Sequence, residues 1–261
     1  MKIAYFGFDL FYSCLEMLSS SHEIVKIFTC KVDEDFETTH KTYAIANKYS
    51  IPITNEKVKK EDISNLEQLG CELIVSAGYY HKIPCSRIIR SVNIHPALLP
   101  LGRGPWPMPV SILRGDKFTG ITIHELADSF DEGDIILQKS VEILSTDNLE
   151  TLTDKLVLTA KELLNCFLSD IERYWMYKRP QSTGEYWKEP GVKDYTFTPE
   201  GDYFRIDKIT KAFYGFKCFL KSDSNVLEIK KAKCVKSLDD CPKNSQVIEI
   251  DNGYLCILQL S

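Results

Sequence analysis

Short apolar runs alternate with amphipathic segments through the first half of the chain. Runs with the length of buried strands occur at residues 2–7, 23–29, 73–77 and 91–95. Segments with apolar side chains at helical spacing lie between them, at residues 10–20, 41–49 and 61–69. Alternation of this kind predicts an α/β fold with a doubly wound, mostly parallel sheet.

The pattern changes after residue 95. Residues 95–109 hold five prolines and two glycines in fifteen positions, which predicts an irregular ordered loop and a helix only near residues 110–114. Alternation in residues 118–126 predicts a strand, with residues 135–143 as its partner. Residues 149–176 predict one long helix.

The last third of the chain differs in character from the rest. Residues 177–193 are polar and rich in proline and glycine, which predicts a linker. Strand candidates follow at residues 218–220, 226–232, 246–250 and 254–260. Asp251-Asn252-Gly253 is a strong hairpin signal between the last two. We therefore expect a main domain, residues 1–190, and a small β-rich C-terminal module, residues 191–261.

Composition adds mainly exclusions. Hydrophobic residues make up 44% of the 261 positions and charged residues 26%, as in ordinary globular proteins. No apolar stretch has the length of a membrane span, and the first residues do not resemble a signal peptide, so a cytoplasmic protein without membrane attachment is expected. The nine cysteines are scattered without a C-x-x-C pair, which favours reduced thiols and no metal site.

The candidate chemistry lies at the end of a predicted strand. Asn93 and His95 point to the same face, because side chains in a strand alternate, and ligand sites of open α/β sheets lie at the carboxyl ends of strands. Residues 128–134 hold four acids, among them Asp131. An amide, an imidazole and a carboxylate suit acyl transfer to an amine, with Asn93 as oxyanion donor, His95 as general base and Asp131 as orienting, proton-shuttling acid.

From the sequence pattern alone, these residues could also have purely structural roles. An asparagine at a strand end often bonds local backbone, a single histidine is often structural, and acidic loops are usually solvated. The segment N-I-H-P-A-L-L-P-x-x-R-G, followed by F-T-G-I-T-I-H-E-L-A-D-S-F-D-E-G-D, resembles the folate-dependent formyltransferases. That group includes glycinamide ribonucleotide, methionyl-tRNA and nucleotide-sugar N-formyltransferases. The separation of 131 − 95 = 36 positions agrees with the family, whereas Ala97 stands where the family usually has serine.

The resemblance covers roughly residues 1–190 and implies a Rossmann-like formyltransferase catalytic domain with 10-formyltetrahydrofolate as formyl donor. It carries the catalytic roles onto Asn93, His95 and Asp131. The donor-binding residues that it implies are Gly78, Tyr80, His81, Lys82, Ile83, Leu126, Ala127 and Asp128. The candidates for binding the acceptor are Phe8, Asp9, Arg103 and Trp106. We expect His124 to be a strand residue near the site rather than its base.

The amine acceptor is less determined. Residues 207–213 resemble the short helix that opens the oligonucleotide-binding domain of methionyl-tRNA formyltransferases, but the remainder is about half the usual length, like a truncated version of that domain. Residues 195–261 contain ten Lys/Arg and nine Asp/Glu, residues 31–40 are acidic, and the whole chain has a net charge of −5. These charges weigh against tRNA, so a small amine, most naturally a nucleotide-linked amino sugar, is favoured.

Several alternatives remain beside that acceptor. They are a hydroxyornithine-type amine, methionyl-tRNA as the runner-up, hydrolysis of formyl-folate, and a non-catalytic ligand- or RNA-binding module on the same fold. The first strand-to-helix turn lacks G-x-G-x-x-G and no P-loop occurs, so neither nicotinamide, flavin nor ATP binding is expected. A homodimer through the small C-terminal sheet is left open.

Overall fold

The computed structural model describes residues 1–32, 37–222 and 225–260. Within these residues the strands are β1 Lys2–Gly7, β2 Glu23–Phe28, β3 Ile53–Thr54, β4 Leu73–Ala77, β5 Arg90–His95, β6 Leu101–Arg103, β7 Phe118–Glu125, β8 Ile135–Glu142, β9 Glu185–Tyr186, β10 Thr196–Phe197, β11 Cys218–Lys221, β12 Val226–Val235, β13 Gln246–Ile250 and β14 Gly253–Leu260. The helices are α1 Tyr12–Ser21, α2 His40–Tyr49, α3 Lys60–Gln68, α4 Pro107–Arg114, α5 Leu149–Ser169, α6 Ile171–Met176 and α7 Tyr203–Ala212.

The chain forms two compact units. Unit 1 comprises Met1–Pro105, Gly120–Val141 and Lys155–Tyr186, and unit 2 comprises Trp106–Thr119, Glu142–Asp154 and Trp187–Ser261. Each unit therefore takes up more than one stretch of the chain. The division into domains at residue 190 stays a prediction.

Unit 1 is built on a sheet with the strand order β3-β2-β1-β4-β5-β7-β8. β1 pairs in parallel with β2 and β4, and β4 pairs in parallel with β5. β7 runs antiparallel to β5, which places Asn93 opposite His124 and His95 opposite Thr122. The predicted α/β class with a mostly parallel sheet is confirmed.

Burial explains why the first strands form this sheet. Residues Ile3 to Phe6 of β1 are fully buried although consecutive side chains point to opposite faces. Strands that are covered on both faces need largely apolar sequence, which β1 has from Ile3 to Phe6 and β4 has apart from Ser76. The polar side chains of Asn93 and His95 in β5 depart from this rule.

The proline-rich segment is more regular than predicted. Residues Leu101–Arg103 form β6, which pairs in parallel with β9, and α4 begins at Pro107 instead of near residue 110. Proline is tolerated in the first helical turn because the backbone N–H that it lacks would have no partner inside the helix. The prediction that no regular element survives here was wrong.

The predicted linker is also partly ordered. β9 lies inside it, and Arg179 exchanges backbone hydrogen bonds with Ile135 at 2.7 and 2.8 Å. The chain up to Tyr186 is thus bonded to the rest of unit 1. The predicted long helix ends at Ser169, because the side chain of Asp170 accepts from the backbone N–H of Arg173 and caps a new helix.

Unit 2 contains, in the described part of the chain, a sheet with the strand order β10-β11-β12-β14-β13. β13 and β14 form an antiparallel hairpin, and Asn252 has a φ of 60° in its turn, as the Asp-Asn-Gly signal predicted. Aromatic rings of Trp106, Tyr195, Phe213 and Phe216 pack against one another in this unit. Among the residues described, none of the helices combines the length and the apolarity that crossing a membrane requires.

Candidate active site

His95, the last residue of β5, has a buried imidazole with two fixed neighbours. Its Nε2 lies 2.7 Å from the carbonyl oxygen of Gly102, and its Nδ1 lies 3.5 Å from Oδ1 of Asp131. A carbonyl oxygen only accepts, so Nε2 must carry a hydrogen. In the neutral ring the lone pair is then on Nδ1, on the side of Asp131.

Asp131 reaches His95 through a tightly constrained loop between β7 and β8. The backbone N–H of Gly104 donates to its Oδ2 at 2.9 Å, and Asp131 itself has a φ of 58°, a conformation that aspartate tolerates better than most residues. A Cβ at Gly133 would lie 1.9 Å from the carbonyl oxygen of Glu125. Only glycine fits there, which is a steric reason for the Asp-x-Gly pattern.

The two side chains have complementary protonation states. Burial lowers the pKa of His95 below its usual value, although the carboxylate of Asp131 partly opposes this. Burial alone would raise the pKa of Asp131, but the neighbouring imidazoles of His95 and His124 and the backbone N–H of Gly104 outweigh it and lower the pKa to about 2. Near neutral pH the site therefore holds a neutral imidazole beside a carboxylate.

Asn93 is oriented by a second histidine. Nδ1 of His124 lies 2.8 Å from the carbonyl oxygen of Glu125 and so carries the hydrogen, which leaves Nε2 to accept from the Asn93 amide at 3.1 Å. The same Nε2 lies 3.6 Å from Oδ1 of Asp131. Asn93 therefore presents its amino group to the site, with a second N–H to donate. His124 lies beside the site, and its contact with Asn93 follows from the β5–β7 register rather than from sequence spacing.

The loop after His95 is held by Thr122 and Gln138, two residues that were not predicted to be functional. Thr122 donates to the carbonyl of Ala97 at 2.6 Å and accepts from the N–H of Leu99 at 3.2 Å. Gln138 donates to the carbonyl of Leu99 at 2.7 Å and to Thr122 at 2.9 Å. Ala97 is buried and contributes through its backbone carbonyl. Only the alternation of Thr122 with His124 along β7 could have indicated a role for Thr122.

The two predicted donor-binding stretches approach each other. Leu126 packs against the apolar cluster that contains Ile83, and the thiol of Cys85 lies 3.9 Å from the carbonyl oxygen of Leu126. Tyr80 is about half exposed, with its ring 5.3 Å from that of Phe8. Gly78 has a φ of 80°, and a Cβ there would lie 3.2 Å from the Phe8 ring.

The other members of these stretches lie nearer solvent. Lys82 and Asp128 are exposed, Ala127 is half-buried, and His81 packs edge-on against Tyr79 at 5.4 Å. That these residues bind the formyl donor stays a prediction.

The candidate acceptor residues have partners within their own units. Arg103 donates to Gln181 and lies 3.5 Å from Glu132, and Trp106 packs against Phe213 and Phe216 in unit 2. Asp9 accepts hydrogen bonds from the hydroxyls of Thr38 and Thr42 and from the backbone N–H groups of Lys41 and Thr42, at 2.6 to 3.0 Å. Asp9 thus caps α2 from a distant point in the chain. A role of these residues in acceptor binding stays a prediction.

Asp9→Ala is expected to lower the free energy of unfolding at neutral pH by about 0.5–2 kcal/mol, the usual range for a lost helix cap. Burial alone would raise the pKa of Asp9, but its hydrogen bonds to Thr38, Lys41 and Thr42 lower it below the usual value. The stabilisation is therefore present above the unfolded pKa and is lost as pH falls through the folded one. Denaturant unfolding at two pH values measures this, and an equal wild-type-to-variant difference at both would contradict it.

Comparison with known proteins places this geometry in a family. The sequence model described as formyl transferase matches residues 18–166. The methionyl-tRNA formyltransferase of Prochlorococcus marinus (strain MIT 9515) is 36% identical over 188 residues, which are 66% of this chain and 57% of that protein. The chain thus spans little more than half the length of this curated relative.

Solved structures show the same fold. A variant of HypX from Aquifex aeolicus superposes with a TM-score of 0.74 and 15% identity, over 98% of this chain and 45% of HypX. WlaRD, a sugar 3N-formyl transferase crystallised with dTDP and 5-N-formyl-THF, superposes with a TM-score of 0.69 and 17% identity, over 98% of this chain and 97% of its own.

Sequence and fold lead to one assignment. The matched residues 18–166 contain Asn93, His95 and Asp131, the three side chains that the resemblance singled out. They also contain the Asp-x-Gly turn whose glycine has no room for a side chain. The chain belongs to the formyl transferase family.

Proposed function

We propose that this chain transfers the formyl group of 10-formyltetrahydrofolate to a primary amine. The observation that carries the proposal is the buried, neutral imidazole of His95, with Nδ1 3.5 Å from the carboxylate of Asp131. The Asn93 amide lies beside them, bonded to His124. A base, an anion and an N–H donor in one place are what acyl transfer to an amine requires.

Asn93 stabilises the charge that develops during the attack. When the amine nitrogen bonds to the formyl carbon, the carbonyl oxygen becomes an oxyanion. The Asn93 N–H that is not bonded to His124 donates to this oxygen, an interaction worth a few kcal/mol of barrier in comparable sites. Because His124 accepts from the same amide, the amino group and not the carbonyl of Asn93 faces the reaction.

His95 moves the proton. Its Nδ1 accepts the proton that the attacking amine loses, and the resulting imidazolium is stabilised by the carboxylate of Asp131. His95 then donates this proton to the nitrogen that leaves as its bond to the formyl carbon breaks, so that a formamide and tetrahydrofolate result. Asp131 remains ionised throughout, since its pKa is lowered to about 2.

The residues after β4 and β7 suit a folate. Leu126, which is partly buried against the apolar cluster that contains Ile83, offers an apolar surface for a flat ring, and the glycine at position 78 keeps side-chain atoms away from the backbone beside Phe8. The exposed Lys82 is a cation of the kind that would pair with the carboxylates of a folate tail. Gly78, Tyr80, His81, Lys82, Ile83, Leu126, Ala127 and Asp128 would hold the donor, which supplies the formyl carbon.

The acceptor that we favour is a nucleotide-linked amino sugar. Ten basic and nine acidic residues between positions 195 and 261 leave the C-terminal segment nearly neutral, whereas a grip on tRNA requires excess positive charge. The likeness to WlaRD, which was crystallised with dTDP, extends over 97% of that chain. The second candidate is methionyl-tRNA, and the 36% identity to the Prochlorococcus enzyme is the observation in its favour.

A formylation assay tests both proposals. The protein is incubated with 10-formyltetrahydrofolate and a panel of nucleotide-linked amino sugars, with charged initiator tRNA and hydroxyornithine included, and products are identified by mass. We expect turnover with an amino sugar. Formylation of the tRNA with a steep salt dependence would replace the acceptor assignment. Formate release without any amine would indicate a hydrolase, and donor binding without turnover would overturn the enzyme proposal.

A further inference from the structure

Gln181 lies in the segment that was predicted to be a linker, and both the N–H groups and the oxygen of its amide are hydrogen-bonded. Its Nε2 donates to the carbonyl oxygen of Asp131 at 2.8 Å and to that of Gly133 at 2.7 Å. Its Oε1 accepts from Nε and Nη2 of Arg103 at 3.1 and 2.8 Å. The Gln181 side chain thus links Arg103 to two backbone carbonyls of the loop that carries the Asp131 carboxylate.

The geometry of these bonds bears directly on the carboxylate. Asp131 has a left-handed backbone, which must be held by its surroundings to persist in a residue other than glycine. Gln181 fixes the carbonyls on either side of Glu132, while the N–H of Gly104 fixes the carboxylate itself. Arg103, the neighbour of Gly104, is bonded to the same glutamine, so both supports of Asp131 are tied together.

We propose that Gln181 is a positioning residue, which holds the Asp131 carboxylate at ion-pair distance from His95. The inference rests on the proposed function, since it concerns how the Asp131 carboxylate is held where it can stabilise His95, the proton acceptor. The amide of Gln181 is bonded to two carbonyl oxygens of the loop and to Arg103, and we assign its effect on the carboxylate to the bonds with the loop carbonyls. Displacement of the carboxylate by about 1 Å would cost about 10²-fold in rate where geometry limits the reaction.

The electrostatic surroundings of His95 make the displacement measurable. The groups that face its ring are the carboxylate of Asp131, the imidazole of His124 and the carbonyl of Gly102. Arg103 and Glu132 are the charged groups beside Gln181. Of those facing the ring, Asp131 is the negatively charged one and favours the imidazolium. If the loop moves the carboxylate away, the pKa of His95 must fall.

Two variants separate the loop side of Gln181 from its Arg103 side. Gln181→Met keeps the length of the side chain and removes all four hydrogen bonds. Gln181→Glu keeps a partner for Arg103 but turns a carboxylate towards the carbonyls of Asp131 and Gly133. Gln68→Met, at an exposed position of α3, is the matched control. The measurements are kcat and KM for the acceptor, and NMR titration of the His95 ring.

We expect both Gln181 variants to lose about 10–100-fold in kcat, with KM within about threefold of wild type, and Gln68→Met to behave as wild type. We also expect a lower His95 pKa in Gln181→Met. A wild-type kcat in Gln181→Glu would show that the bond with Arg103, and not the bonds with the loop carbonyls, supports catalysis, and it would overturn the proposal. If Gln181→Met does not fold, the kcat of Gln181→Glu is the deciding measurement. An unchanged His95 pKa in folded Gln181→Met would overturn it as well. Since the titration needs no substrate, the result stands even if the formylation assay fails.

Discussion

His95→Gln is expected to lower kcat/KM for formyl transfer by about 10²–10⁴-fold, the usual contribution of a general acid–base residue. Glutamine keeps an N–H that can donate to the carbonyl of Gly102, so the bond that orients His95 in the fold has a replacement. It has no group that can accept a proton near neutral pH. The loss should therefore appear in kcat, measured in the formylation assay, rather than in folding.

The control for this variant is His40→Gln, at an exposed position where α2 begins. Both proteins should unfold at nearly the wild-type temperature, and a bound folate analogue should raise that temperature in each by linkage. Near-normal turnover by a folded His95→Gln protein would refute the role of His95 as the base. Loss of the ligand-induced shift in that variant alone would indicate that His95 serves donor binding instead.

Asp131→Asn is expected to lower kcat by about 10³–10⁴-fold, as in sites where a buried carboxylate stabilises an imidazolium. An asparagine has nearly the same volume and can still accept from the N–H of Gly104, but it brings no charge to His95. The pKa of the His95 imidazole is already lowered by burial, and without the carboxylate it should fall further. The variant therefore combines a lower plateau rate with a changed pH profile.

The sign of that change can be tested. The base form of His95 is active, so kcat/KM rises with pH through the His95 pKa of the free enzyme. In Asp131→Asn this rise should move to lower pH. Asp239→Asn, on the exposed surface of unit 2, is the matched control. A rise that moves to higher pH, or a variant with wild-type kcat, would contradict the assigned role.

The double variant of His95 and Asp131 provides a further check. Residues that act as one unit give strongly non-additive effects, because removal of either already abolishes the joint function. The double variant should be little worse than His95→Gln alone.

The fold class could be predicted because its signal is local and repeated. The buried strands β1 and β4 are largely apolar runs, and the helices between the first strands show apolar residues at helical spacing. The predicted elements were wrong where a single residue, or pairing with a distant segment, changes the secondary structure that the local periodicity predicts. Asp170 breaks an otherwise continuous helical pattern by capping, and the pairing of β6 with β9 joins residues about eighty positions apart.

Only part of the candidate site could be predicted from local sequence patterns. Asn93 and His95 are two positions apart on one strand, so strand alternation alone puts them on one face. Asp131 could be linked to them from sequence only through the family resemblance, because its loop returns to His95 by a left-handed turn and a glycine pressed against Glu125. The contact of His124 with Asn93 depends on the register of two antiparallel strands.

The sequence by itself determined that the chain folds as an α/β protein and that an amide and an imidazole share one strand face, since both follow from short-range periodicity. Tertiary structure alone decided which nitrogen of His95 carries the lone pair, through the carbonyl of Gly102. It also decided that Gln181, from a segment resembling a linker, supports the carboxylate of Asp131. Hydrogen bonds between residues distant in the chain form only where the tertiary fold brings those residues together. Composition and local spacing do not determine these long-range contacts.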